Sequence, residues 1–210
     1  MTKTNGSTNG ETIVLTTESE YPLTVNGLQD IAAFEHTEAG LSLVSKISAS
    51  PGAHFAYITS HAPMPRPSWK TIQTSPTTHT DPRSALLYMN HSCAPSVEIH
   101  TYKPDADGKY PSAPPNGELN GESAHLQSAG LAGEVVVSKD RGIEPGDALT
   151  FFYPSTEWKF DRPFECLCGA PKDVCLGTVQ GAEPVDPKRL QRWFINDHIL
   201  EMKQQQNSKN

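Results

Sequence analysis

Asn90-His91-Ser92-Cys93-Ala94-Pro95 joins two ordered segments, Ala85-Leu86-Leu87-Tyr88 before it and the run from Val97 to Tyr102 after it. Its small polar residues and closing proline make it a turn, and it carries one thiol, Cys93. The other three cysteines lie far along the chain, in Cys166-Leu167-Cys168-Gly169-Ala170-Pro171-Lys172-Asp173-Val174-Cys175. Two thiols one residue apart, a Gly-Ala-Pro turn and a third thiol can face one tetrahedral ion, and soft thiolates suit zinc in closed structural sites. Cys93 supplies the fourth corner, so a site built from Cys93, Cys166, Cys168 and Cys175 uses every cysteine present. Unligated buried thiols and disulfides are the other arrangements open to them, the latter disfavoured by an intracellular redox poise. Spacing also leaves His91 open as an alternative ligand.

Working outward, short β-prone runs separated by Gly and Pro turns dominate. They are Ile13-Val14-Leu15, Gly40 to Ser45, Ala53 to Ile58 after the turn at Ser50-Pro51-Gly52, Val97 to Tyr102, Gly133 to Ser138, and Leu149 to Tyr153 after the turn at Gly142 to Asp147. Leu28 to Phe34 reads equally as a helical turn or a strand. Residues 61–84 hold Pro63, Pro65, Pro67, Pro76 and Pro82 and read as a short Pro-rich insertion with at most brief helical pieces. Residues 103–131 read as a long surface loop. One helix is predicted over 186–203, capped by Asp186 with Pro187 at its first position and bearing the stripe Leu190, Trp193, Phe194, Ile199 and Leu200. The stripe is expected to pack on the sheet. Residues 1–11 and 204–210 read as disordered tails. The expected class is a mainly β fold with one C-terminal helix.

The 210 residues carry a net charge of −7, with 15 glycines and 18 prolines. The two together exceed the roughly 25 that average usage gives at this length, so one modest core with much loop is expected. No basic stripe marks a nucleic-acid surface. No apolar run reaches the roughly 18 residues of a membrane span, and residues 1–11 lack a secretory leader's apolar stretch. An intracellular protein of the cytoplasm or nucleus is expected. His36, His54, His61, His79, His100, His125 and His198 show no pairing that spacing identifies and read as ordinary core or surface histidines.

Asn90-His91-Ser92-Cys93-Ala94-Pro95 resembles the NHSCxP signature of SET domains. About fifty residues on, Ile143-Glu144-Pro145-Gly146-Asp147-Ala148-Leu149-Thr150-Phe151-Phe152-Tyr153 is similar to the I-x-x-G-[ED]-E-L-T-x-x-Y signature of the same family. Cys166 to Cys175 is similar to the post-SET zinc loop, and Ala39 to Ser45 with Pro51-Gly52 resembles the first SET strand pair. The likeness spans about residues 34–180, with three motifs in the right order. It divides the chain into a SET-like domain over 12–153, a post-SET zinc segment over 154–181 and the helix over 186–203. The fold it implies is a β-clip with a pseudoknot formed by the two signature segments.

The activity it implies is methyl transfer from S-adenosylmethionine to an amine of the lysine type. Tyr153 maps onto the catalytic tyrosine. Ala39, Gly40, Leu41, Asn90, His91 and Leu167 map onto cofactor contacts. Cys93 maps onto the fourth zinc ligand beside Cys166, Cys168 and Cys175. Glu157, Trp158 and Phe164 follow Tyr153 in the chain, an order that places them along the cofactor pocket. The chain departs from the family where Glu38 stands for the first glycine of G-x-G, Ala148 for Glu, Ser96 for Asn and Phe152 for Asp, and where six residues separate Cys168 from Cys175 rather than four. These departures fall on cofactor and peptide recognition. They leave a second reading open, an enzyme of natural-product biosynthesis on the same scaffold, either a small-molecule methyltransferase or a cofactor-independent cyclase or isomerase. A third is a non-catalytic module that binds a basic peptide through Trp158 and Trp193. The substrate is accordingly a lysine-bearing protein or a small molecule, with no nucleic-acid or membrane partner.

Overall fold

The computed structural model describes residues 19–37, 40–115 and 130–208. Ile13-Val14-Leu15, the predicted tail 1–11, Ala39, and His125 within the 103–131 segment lie outside the described residues. The ambiguous stretch from Leu28 holds both structures in turn. Leu28–Ile31 forms a single helical turn (α1), and β1 (Ala32–Thr37) then pairs antiparallel with β2 (Gly40–Ser45), Ala32 opposite Ser45. Leu28, Ala32, Leu41 and Leu43 enter the core.

β3 (His54–Ile58), β8 (Val97–Thr101) and β9 (Gly133–Val137) make the central antiparallel sheet, in the order β3-β9-β8. The alternation in β8 decides its faces. Val97 and Ile99 are buried, while Glu98 and His100 lie at the surface edge.

Residues 61–84 are not a bare connection. They fold into a second antiparallel sheet of β4 (Ala62–Met64), β5 (Ile72–Ser75) and β6 (Thr78–Asp81), ordered β4-β6-β5. The prolines misled because they occupy positions a sheet tolerates. Pro63 sits on an edge strand opposite Thr80, Pro76 sits in the β5–β6 turn, and central β6 has none. The buried hydroxyls of this sheet are satisfied from the 103–115 segment, where Tyr110 packs inside and its hydroxyl pairs with Thr74 and Thr80. Tyr110 of the expected surface loop is therefore core, while residues 105–109 before it lie at the surface as expected.

Two short strands join the signature segments. β7 (Asn90–His91) runs parallel to β10 (Thr150–Phe151), with Thr150 opposite Asn90 and Phe151 opposite His91. Ser96 ties them further. Its hydroxyl donates to the Ala148 carbonyl at 2.7 Å and accepts the Thr150 amide at 2.9 Å. The expected strand to Tyr153 stops at Phe151, because Pro154 cannot donate to a ladder and Tyr153–Ser155 turns as a 3₁₀ helix.

β11 (Phe164–Glu165) and β12 (Thr178–Val179) flank the cysteine loop. Gly181 follows in a left-handed conformation, where a β-carbon would lie 2.5 Å from the Trp158 carbonyl, so no side chain fits there. The segment 186–203 divides into α2 (Pro187–Leu190), capped by the Asp186 side chain, and α3 (Asp197–Asn207), which runs into the predicted tail. The break falls at Asn196. Its buried amide donates to the carbonyls of Ile99 and Ser155 and accepts from the amide and hydroxyl of Thr101. Leu190 and Ile199 of the stripe are buried, whereas Leu200 faces outward.

The result is a mainly β fold with two apolar clusters. The larger lies among the sheets. The smaller gathers Cys93, Phe152, Ala182, Val185, Leu190, Ile195 and Ile199 beside the cysteine loop. No helix among the described residues is long and apolar enough to cross a membrane.

Candidate active site and metal centre

The parallel pairing of β7 with β10 brings the two signature segments side by side and decides the site. Tyr153 leaves the end of β10 with its ring half-buried, and its hydroxyl donates to the Met89 carbonyl at 3.0 Å. Its main-chain amide donates to His91 Nδ1 at 3.2 Å. Burial raises the Tyr153 hydroxyl above the usual phenol range, so it stays protonated. Burial likewise pushes the His91 ring down to about 4, and it stays neutral.

Aromatic rings close around this point. Phe160 and Phe164 each lie 6.1 Å from the Tyr153 ring, and Phe164 also lies 5.8 Å from His91. Phe164 is 38% exposed, so the cluster opens to solvent on that side. The side-chain amide of Asn90, half-buried on β7, has no hydrogen-bond partner among the described residues. An amide with no partner among the described residues is a donor–acceptor pair available to a polar ligand.

Of the remaining expected contacts, Gly40 adopts a left-handed φ of 116° at the start of β2, and the Leu41 side chain is in the core. Only the backbone of Leu41 is left to meet a ligand. Leu167 is 90% exposed at the tip of the cysteine loop.

The four thiols converge. The sulfurs of Cys93, Cys166, Cys168 and Cys175 all lie within 4.8 Å of one another, with Cys93 and Cys166 3.8 Å apart. Tetrahedral zinc–thiolate geometry requires sulfurs about 3.8 Å apart, so this donor set fits a zinc ion. Burial pushes the Cys93 thiol up to about 11 and raises Cys166 as well. At Cys168 burial acts in the same direction, but hydrogen bonds from the Cys93 and Ala170 amides and from neighbouring thiols outweigh it and bring the group down to about 7. A divalent cation bound here would offset that desolvation and hold all four as thiolates. Among the described residues no other group of His, Cys, Asp or Glu side chains is placed to hold a metal ion.

Of the residues placed along the pocket by chain order, only Phe164 is there. The Glu157 carboxylate turns away to the β4-β6-β5 sheet, 3.8 Å from His79 Nδ1, where burial raises it to about 8. Trp158 packs under the Lys203 ammonium at 5.2 Å. Trp193 stacks on Phe152 with ring centres 4.0 Å apart and donates its indole N–H to the Cys93 carbonyl. Both tryptophans are thus engaged inside the fold. Three of the histidines are paired as well, His54 with Glu134, His100 with Glu98, and His198 with the Thr156 carbonyl. Met89 and Phe160 were not singled out from the sequence. Phe160 could have been, from its position between Tyr153 and Cys166, whereas Met89 acts through a carbonyl that carries no side-chain signal.

No family model matches the chain. Over 160 residues it is 33% identical to the methyltransferase flvH of Aspergillus flavus, a match that covers 75% of this chain and 71% of that protein. The crystal structure of a Plasmodium falciparum protein described as a histone methyltransferase aligns with a TM-score of 0.37 at 11% identity, over 59% of this chain and 92% of that one. The chain belongs to the methyltransferase family of which flvH is a member.

Proposed function

We propose that this protein is a SET-type methyltransferase that uses S-adenosylmethionine to methylate an amine of the lysine type, with a structural zinc ion in its four-cysteine cluster. The observation that carries the reading is the β7–β10 pairing. It sets Tyr153 beside His91 and Met89, and it places Cys93, from the same turn, against the cysteine loop. This supports a pseudoknot of the two signature segments. Kinship with flvH supports methyl transfer.

S-adenosylmethionine, when bound, supplies an activated methyl group on a sulfonium, a good leaving group. The rest falls to the chain and is mainly positioning. Tyr153, protonated and held by Met89, presents a fixed phenol at the reacting centre. Phe160, Phe164 and the Tyr153 ring offer aromatic faces that attract a cationic group and exclude water. The Asn90 amide and the backbone at Gly40 and Leu41 are the groups assigned to the cofactor. Cys93, Cys166, Cys168 and Cys175 would hold the zinc, which ties the loop carrying Phe164 to the turn carrying Asn90.

Calorimetric titration of the zinc-analysed protein with S-adenosylmethionine, followed by methyl-transfer assays, tests the reading. Micromolar binding with transfer to a primary amine is expected. Absence of binding by zinc-loaded protein overturns it. A free small-molecule amine is the second reading for the acceptor. It is favoured by the closure of residues 61–84 into a sheet sealed by Tyr110, a segment that the resemblance to SET domains would place along a peptide groove. Lysine peptides and small primary amines assayed side by side separate the two.

A further inference from the structure

The His91 ring stands between the cysteine cluster and Tyr153, with one nitrogen toward each. Nδ1 lies 3.2 Å from the Tyr153 main-chain nitrogen, and Nε2 lies 3.4 Å from Cys93 Sγ. The main-chain amide is an obligatory donor, so Nδ1 accepts and carries no proton. In a neutral ring the proton is then on Nε2, the atom that faces the sulfur. We infer that His91 is a positioning residue that couples the metal centre to Tyr153, donating Nε2–H to the Cys93 thiolate while holding the Tyr153 amide at Nδ1, and that it is not itself a metal ligand.

Two observations support this beyond the distances. The first is that the tetrahedron is complete without it, since four sulfurs already lie within 4.8 Å of one another. Were Nε2 bound to the ion, the neutral ring would carry its proton on Nδ1, and two N–H groups would face each other at 3.2 Å. The second is that N–H groups already gather on these sulfurs. Cys93 Sγ accepts the Leu176 amide at 3.3 Å, and Cys175 Sγ accepts the Gly177 amide at 3.4 Å. Four thiolates around a divalent ion leave an excess of negative charge, which N–H donors disperse, and such outer partners fix both the ligands and their geometry. His91 adds the one donor whose other end touches Tyr153. Rings on three sides keep it in place, Phe152, Tyr153 and Phe164 at 5.8, 5.2 and 5.8 Å. The consequence is directional. Loading the metal orders the sulfur, the sulfur orients the ring, and the ring sets the backbone from which the Tyr153 phenol projects.

The inference rests on the zinc reading above, and the experiment separates the two. Protein labelled with ¹⁵N and loaded with ¹¹³Cd is examined by NMR. The expected result is one cadmium per chain, His91 nitrogen shifts of the Nε2–H form, and a small coupling from that proton through Cys93 Sγ to the metal. A direct one-bond nitrogen–cadmium coupling, the Nδ1–H form, or absence of the proton–metal coupling overturns the inference and leaves the four-thiolate centre standing. Failure to bind cadmium overturns both. Two variants give an independent readout. His91→Asn keeps an acceptor near Nδ1 but no donor at the sulfur, and metal affinity should fall about 10- to 100-fold. His91→Gln places a donor near the sulfur but loses the acceptor, and should keep metal affinity while kcat falls with little change in KM. Equal loss of metal by both variants, with no split in the kinetics, overturns the coupling.

Discussion

Tyr153 and Glu157 lie four residues apart and show how burial assigns different tasks. The Tyr153 hydroxyl has one partner, the Met89 carbonyl, and an aromatic wall that opens at Phe164. Tyr153→Phe removes the hydroxyl and one hydrogen bond. The cost in stability is about 1 kcal/mol, a fall of about 2–4 °C in Tm. On the proposed reading, in which the phenol fixes the reacting geometry, methyl transfer in single-turnover assays should fall far more, about 100-fold. Glu157 lies away from that point, against His79 of the β4-β6-β5 sheet. Its Oε1 has no hydrogen-bond partner among the described residues, and burial raises its carboxyl to about 8. Between about pH 4.5 and 8 the unfolded chain ionises this group while the fold resists. Its contribution is therefore full below that range and is lost as pH rises through it. Glu157→Gln removes the dependence. Measured Tm values of variant and parent should diverge in the variant's favour from pH 5 to 8, by about 4 °C or more. The same slope for both would assign the alkaline loss elsewhere.

At the scale of elements, single residues decide where the chain breaks. The apolar stripe from Leu190 to Leu200 reads as one helix because its spacing is helical. Asn196 interrupts it by trading helix for tertiary bonds, four of them to Ile99, Thr101 and Ser155. Those contacts anchor the start of α3 to the last residues of β8. Asn196→Ala takes away the side-chain partner of the Ile99 carbonyl and of the Thr101 amide, while the Ser155 carbonyl keeps the residue 196 main-chain amide, and should cost about 3 kcal/mol, a Tm lower by about 6–12 °C in calorimetry. Residues 61–84 show the converse. Five prolines argued for a connection, yet the threonine hydroxyls of β5 and β6 find buried partners in Tyr110, some 30 residues away in sequence. A local reading has no access to a partner at that distance.

For the molecule as a whole, the two apolar clusters have different support. The larger is closed by three strands and β1–β2. The smaller surrounds the cysteine cluster, and its wall includes Trp193, bonded to the Cys93 carbonyl and stacked on Phe152. Without metal, four converging thiols give that wall little to hold it. If the proposed zinc is bound, stripping it from zinc-loaded protein with a chelator should shift tryptophan emission to the red and speed amide exchange across residues 164–195. Strands β3, β8 and β9 should stay protected. Uniform loss of protection would show instead that the clusters unfold as one.

The sequence by itself determined the mainly β class, the short strands from Gly40 onward, the grouping of four cysteines and the order of the two signature segments. Each of these is a matter of local pattern or residue type, set by backbone preference and ligand chemistry. Tertiary structure alone decided that Asn90–His91 pairs with Thr150–Phe151, that His91 turns one nitrogen to a sulfur and the other to Tyr153, and that Glu157 leaves the site for His79. Apart from the contact of His91 with Cys93, two positions on, those outcomes depend on pairs more than fifty positions apart, where chain entropy, burial and the need to pair every buried polar group are settled together.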